Sequence, residues 1–126
     1  MTKSIMEAVA AARVEVPAIG AQDAARLHGQ EDVLFVDVRD AEEVAQTGKI
    51  AGALNVSRGM LEFRADAATP YHDPAFDPDK TIILYCASGG RSALGGKALL
   101  EMGYRDVRNL GAFKDWADRG LPIEAR

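Results

Sequence analysis

The single cysteine of the chain, Cys86, stands in the run Tyr85-Cys86-Ala87-Ser88-Gly89-Gly90-Arg91-Ser92, where an apolar strand pattern gives way to a helical one. Gly89 and Gly90 permit the positive φ angles at which successive backbone N–H groups turn inward and form an anion cradle. The start of the following helix adds the positive end of its dipole, and Arg91 adds a full charge. A thiolate at Cys86 therefore gains over the thiol, and the thiolate is the useful nucleophile. A cysteine that only ended a core strand would be small, apolar and inert, and it would need none of these neighbours. The loop assigns Cys86 as a reactive thiol.

Few other residues compete for a chemical role. One cysteine forms no internal disulfide, and CxxC metal spacing needs two. His28 and His72 are far apart and lack partners at metal-ligand spacing, so no metal site is expected. Asp37 and Arg39 end an apolar strand near the expected site. Arg39 is there either a ligand for a substrate anion or half of a buried Asp–Arg pair that ties loops together. Arg58 and Arg64 either line the pocket mouth or sit on a solvated helix face. Trp116 reads as core.

The net charge is −4 and no lysine- or arginine-rich run occurs, which argues against a nucleic-acid partner. No apolar stretch approaches the ~18 residues needed to cross a bilayer. The run from Ile5 to Ala12 is broken by Glu7 and followed by Arg13, which suits a short surface helix rather than a secretory signal. A cytoplasmic protein is expected, with residues 1–13 an N-terminal extension and 14–126 the domain.

The elements that must hold Cys86 alternate. Val14–Ala18 is a strand candidate, and Gln22–His28 a helix stopped by Gly29. The uniformly apolar runs 33–38 and 81–85 suit parallel strands buried on both faces. Asp40 and Glu43 form a capping-box pattern for a helix that Gly48 ends. Ala53–Val56 is a short strand and Gly59–Ala68 a helix, while Thr69–Lys80, with Pro70, Pro74 and Pro78, is an irregular connection. Ser92–Met102 is a helix, Val107–Leu110 a strand and Phe113–Ala117 a closing helix. Strands separated by helices imply an α/β fold, a central parallel sheet flanked by helices on both faces, with sites beyond the carboxyl ends of the strands.

Several motifs, in order, resemble the rhodanese family from about Val16 to Pro122. They are Asp37-Val38-Arg39, Gly48-Lys49-Ile50-Ala51-Gly52-Ala53-Leu54-Asn55, the Cys86–Ser92 loop, Gly103-Tyr104, Asn109-Leu110-Gly111, Trp116 and Gly120-Leu121-Pro122. The resemblance implies a rhodanese-like three-layer fold and a sulfurtransferase. In it Cys86 takes a sulfane sulfur from a donor such as thiosulfate and passes it to cyanide, a thiol or a sulfur-relay protein. It also implies that the amides of Ala87, Ser88, Gly89, Gly90, Arg91 and Ser92 hold the sulfur and that no cofactor is needed. Two positions depart from the pattern: Lys49 replaces the usual histidine, and Gly111-Ala112 replaces Gly-Gly. A cysteine phosphatase or arsenate reductase is the competing enzyme class, but its loops resemble Cys-x5-Arg and this one is Cys86-x4-Arg91. A non-catalytic rhodanese-like binding module is the third reading.

Overall fold

The computed structural model describes residues 4–125; residues 1–3, at the start of the N-terminal extension, and Arg126 lie outside the described residues. The elements run α1 (Ile5–Glu15), α2 (Ala21–Leu27), β1 (Val33–Asp37), α3 (Ala41–Thr47), β2 (Lys49–Ile50) and β3 (Leu54–Asn55). They continue with α4 (Leu61–Ala65), β4 (Thr81–Cys86), α5 (Gly90–Glu101), β5 (Asp106–Ala112), α6 (Phe113–Ala117) and β6 (Ile123–Glu124).

The two uniformly apolar runs become the central strands. β1 and β4 pair in parallel from Val33 opposite Thr81 to Asp37 opposite Tyr85. With β3 outside β1 and β5 outside β4, the sheet order is β3-β1-β4-β5, all parallel. Side chains alternate along β4 with the strand period of two. Ile82, Leu84 and Cys86 enter the core under α4 and α5, whereas Ile83 and Tyr85 enter the core under α2 and α6 that contains Trp116. The result is the expected three-layer α/β fold.

Helix α5 carries the residues after Cys86, and two glycines let it lie close to its neighbours. A Cβ on Gly96 would come within 2.8 Å of Val16 Cγ1, and one on Gly95 within 2.8 Å of Leu61 Cδ2. Val16 is itself buried and β-branched, so it has little room to yield.

The N-terminal part differs from expectation. Val14 and Glu15 form the last turn of α1, and Ala18 makes only a single parallel bridge, to Asn109. The helix extends because Val9 and Ala12 are buried against Ala93 of α5, which gives one of its faces a tertiary partner. Ser4 Oγ accepts the Met6 N–H and caps its start.

A second small sheet, β2 antiparallel to β6, has no counterpart in the sequence reading. The segment expected as one helix over Gly59–Ala68 is a 3-10 turn, Arg58–Met60, followed by the short α4. Thr69–Lys80 is irregular as expected, yet it is anchored, since Phe76 enters the core. No helix of the described residues is long and apolar enough to cross a membrane.

Gly96→Ala should lower the urea midpoint, with overpacking of about 1–3 kcal/mol exceeding the ~1 kcal/mol gained from helix propensity. Gly20→Ala, where an added Cβ meets nothing within 4 Å, should stay within about 0.5 kcal/mol of the parent. Equal midpoints for the two variants would show that α5 does not depend on this close approach.

Candidate active site

Cys86 ends β4 with its side chain on the α5 face, fully buried. The chain then reverses at Gly89, whose φ of +96° is the left-handed conformation that glycine adopts without a Cβ clash. This turn aims the Gly89 N–H at Cys86 Sγ, 3.0 Å away, and starts α5 at the next residue. Ser92 Oγ lies 3.4 Å from the same sulfur. Burial pushes the thiol up, but the Ser92 hydroxyl and the N–H groups of Ser92, Ser88 and Gly89 outweigh it and hold Cys86 below its ordinary value. Ala87 and Ser88 form the exposed lip of the loop.

Arg91 is placed differently from the sequence expectation. Its Nη1 and Nη2 donate to Glu43 Oε2 and Oε1 of α3 at 2.7 and 2.9 Å, a bidentate pair. Its charge is therefore largely matched by a carboxylate; the neutral donors around the sulfur contribute most to favouring the thiolate, and Arg91 adds a smaller coulombic attraction to it. Glu43 also accepts the Asp40 N–H at 3.0 Å, the capping role read from the sequence. Those contacts, with the Arg91 hydrogen bonds first, hold its carboxyl at about 2 against an ordinary 4.5.

Asn109 of β5 completes the cradle and was not singled out by its residue type. Between Leu84 and Tyr85 the register against β5 slips, so Leu84 faces Asn109 while Tyr85 faces Gly111. Gly111 has a φ of +91°, as at a bulge with a left-handed glycine. The buried Asn109 side chain accepts from Ser92 Oγ at 2.7 Å and donates to the Gly89 carbonyl at 3.3 Å. Ser92 has one hydroxyl proton. While that proton points to Asn109, Ser92 Oγ can accept from the thiol; ionisation of Cys86 rewards its rotation toward the sulfur.

The arrangement of this sheet, turn and buried thiol has known relatives. The Rhodanese-like domain family matches residues 20–119. The chain belongs to the rhodanese family. It is 38% identical over 101 residues to a sulfurtransferase of Allochromatium vinosum, covering 79% of this chain and 86% of that one. It is also 34% identical over 83 residues to the thiosulfate sulfurtransferase PspE of Escherichia coli, covering 66% and 73%. A solved Rhodopseudomonas palustris protein of unknown function, described as a possible tyrosine phosphatase, superposes with a TM-score of 0.91 at 41% identity, covering 98% of this chain and 96% of that one. In general terms, this rhodanese is a sulfurtransferase.

Both departures from the family pattern have structural accounts. Lys49 Nζ donates to the Ala53 carbonyl and to Glu124 Oε1, each at 2.6 Å, and so fastens β6 to β2. Ala112 has a φ of −92°, which needs no glycine, whereas Gly111 keeps the positive φ.

The remaining sequence-derived residues divide. Arg39 is buried and spends its fork on Asp37, with Nε 3.0 Å from Oδ1 and Nη2 2.7 Å from Oδ2. It also donates to Thr47 Oγ1 and the Gly48 carbonyl and lies 4.4 Å over the Phe113 ring. That geometry is a tie between β1, α3 and α6, with little donor capacity left for a substrate. Arg58 pairs with Glu62 at 2.7 Å. Arg64 is exposed beside a cavity of about 330 Å³ also lined by Asp40, Asn55 and Met60, and this cavity does not include the Cys86 loop. His28 contacts the Ala51 carbonyl at 2.6 Å and packs edge-on against Phe35 and Trp116, while His72 lines a separate groove with Phe76 and Tyr104.

Ser92→Ala removes a donor to the thiolate and should raise the pH at which Cys86 is alkylated by iodoacetamide; an unmoved rate profile would leave the backbone amides as sufficient. A second expectation concerns acid. Because the folded state depresses the Glu43 pKa, the pair stabilises fully above about 4.5 and its contribution fades as pH falls toward about 2. Glu43→Gln should therefore lower the urea midpoint at neutral pH, with the difference from the parent shrinking in acid. The carboxylate is about one-third exposed, so the effect should be modest. A difference that grows in acid would contradict the assignment.

Proposed function

We propose that Cys86 carries sulfane sulfur as a persulfide between a small-molecule donor such as thiosulfate and a thiophilic acceptor. The observation that carries this reading is the Gly89 N–H on Cys86 Sγ at 3.0 Å, within a loop whose other amides also favour a sulfur anion. The Cys86 thiolate attacks the outer sulfur of thiosulfate, an S–S bond forms as another breaks, and the electron pair leaves with sulfite. Cyanide or a thiolate then takes the terminal sulfur and the Cys86 thiolate is restored. No net redox change and no cofactor is needed. The amides from Ala87 to Ser92 serve both charged states in place, as preorganised dipoles do. A sulfur-relay protein would present its acceptor thiol to the same lip. A lone unpaired thiol suits a reducing compartment, in keeping with a cytoplasmic protein.

Of the competing phosphatase and arsenate reductase readings, the description of the Rhodopseudomonas palustris protein as a possible tyrosine phosphatase favours the first. Two features disfavour it. Four residues rather than five separate Cys86 from Arg91, and the Arg91 fork is held by Glu43 instead of being open to an oxyanion.

Incubation with thiosulfate should add one sulfur atom to the intact mass, and cyanide should remove it. Cys86→Ser should show no gain. The same sample should hydrolyse aryl phosphate more slowly than it transfers sulfur. A mass gain that survives in Cys86→Ser, or its absence with every sulfane donor, would falsify the persulfide reading.

A further inference from the structure

Helix α1 precedes the segment matched by the family, yet it reaches the active-site loop. Arg13, in its last turn, places Nη2 and Nη1 at 3.0 and 3.5 Å from the point where a Gly89 side chain would begin. Gly111 Cα lies 3.2 Å from that same point. The guanidinium therefore packs on the residue whose N–H holds the Cys86 sulfur, on the side where β5 ends. Its position is not incidental to a loose helix. Val9 and Ala12 bury against Ala93, and Val9 Cγ2 lies 3.7 Å from the Cβ position of Gly90.

The charge balance around the loop gives this contact its meaning. Arg91, Arg39 and Arg58 are matched by Glu43, Asp37 and Glu62. Among the described residues Arg13 forms no ion pair within 4 Å and no hydrogen bond that would occupy its donors, and it is exposed. The chain as a whole carries −4, so an anionic donor is repelled at long range and needs a local cation at the place of reaction. We propose that Arg13 is a specificity-determining residue that holds the oxyanion end of anionic sulfur donors, such as the sulfonate end of thiosulfate, at the rim of the Cys86 loop. This rests on the persulfide reading for its substrate, while the recruitment of anions to Cys86 is a property of the site itself.

Two alkylating agents of similar shape separate those levels. Iodoacetate is an anion and iodoacetamide is neutral, and both report on the same sulfur without any sulfur transfer. In Arg13→Gln the iodoacetate rate at Cys86 should fall about threefold to fivefold relative to the iodoacetamide rate, the size of one exposed ionic contact. Arg13→Lys should retain most of the parent ratio. At about 1 M salt, where charges are screened beyond ~3 Å, parent and Arg13→Gln should converge. The kcat/KM for thiosulfate should fall by a similar factor in Arg13→Gln, with discharge of the preloaded persulfide to dithiothreitol unchanged. An iodoacetate-to-iodoacetamide ratio equal in parent and Arg13→Gln at low salt overturns the proposal. Failure of every sulfane donor, thiosulfate included, to load the parent overturns the persulfide reading instead, and the alkylation ratio still decides the role of Arg13.

Discussion

The left-handed turn at Gly89 is the constraint on which the site depends. At a φ of +96° its N–H faces Cys86 Sγ, its carbonyl meets Asn109, and α5 begins at the next residue. The Arg13 guanidinium and the Gly111 backbone close off the space where a side chain would stand. A substitution there meets backbone strain and crowding together, and either would turn the N–H away from the sulfur. The depth of β4 in the sheet, the bulge in β5 and the packing of α1 all serve to keep this one turn in place.

Charge is handled in an order that a reading by residue type would not suggest. Three of the arginines around the site are matched by carboxylates, and the sulfur anion is favoured by backbone amides and a hydroxyl. Dipoles fixed in a buried setting keep their strength, whereas a half-exposed ion pair is weakened by water and salt. Arg91 thus acts mainly as a clasp between α3 and the loop, while Asp37 and Arg39 fasten the ends of β1 and α3. Asn109 couples Ser92 to Gly89, so the hydroxyl proton near the sulfur is governed by a side chain on another strand.

What the sequence revealed was local. β1 and β4 were legible because a strand buried on both faces must be apolar throughout, and the Cys86–Ser92 loop because glycine, cysteine and a helix start stand in consecutive positions. The α3 boundaries followed from Asp40, Glu43 and Gly48 for the same reason. What escaped was long-range pairing. Glu43 and Arg91 are 48 residues apart, and Lys49 and Glu124 are 75 apart. β2 and β6 have two residues each, too short for a periodic signal. Val14–Ala18 was read as a strand because its β-branched residues suit one, but burial of Val9 and Ala12 carried the helix through Glu15. The register slip that turns Asn109 toward Ser92 is marked only by Gly111.

Complete burial of Cys86 beneath an exposed lip at Ala87 and Ser88 gives the sulfur two clocks. One is the intrinsic speed of each reagent with an accessible sulfur, and the other is how often the lip parts, a local excursion with its own free energy. When the second clock is slower, fast and slow reagents are levelled to one common ceiling, peroxides and bulk thiols among them. Shelf life on the protein then becomes a property of the lip rather than of sulfur chemistry. A molecule that held the lip open would reach the sulfur on contact, while the same sulfur stays shielded from the crowd.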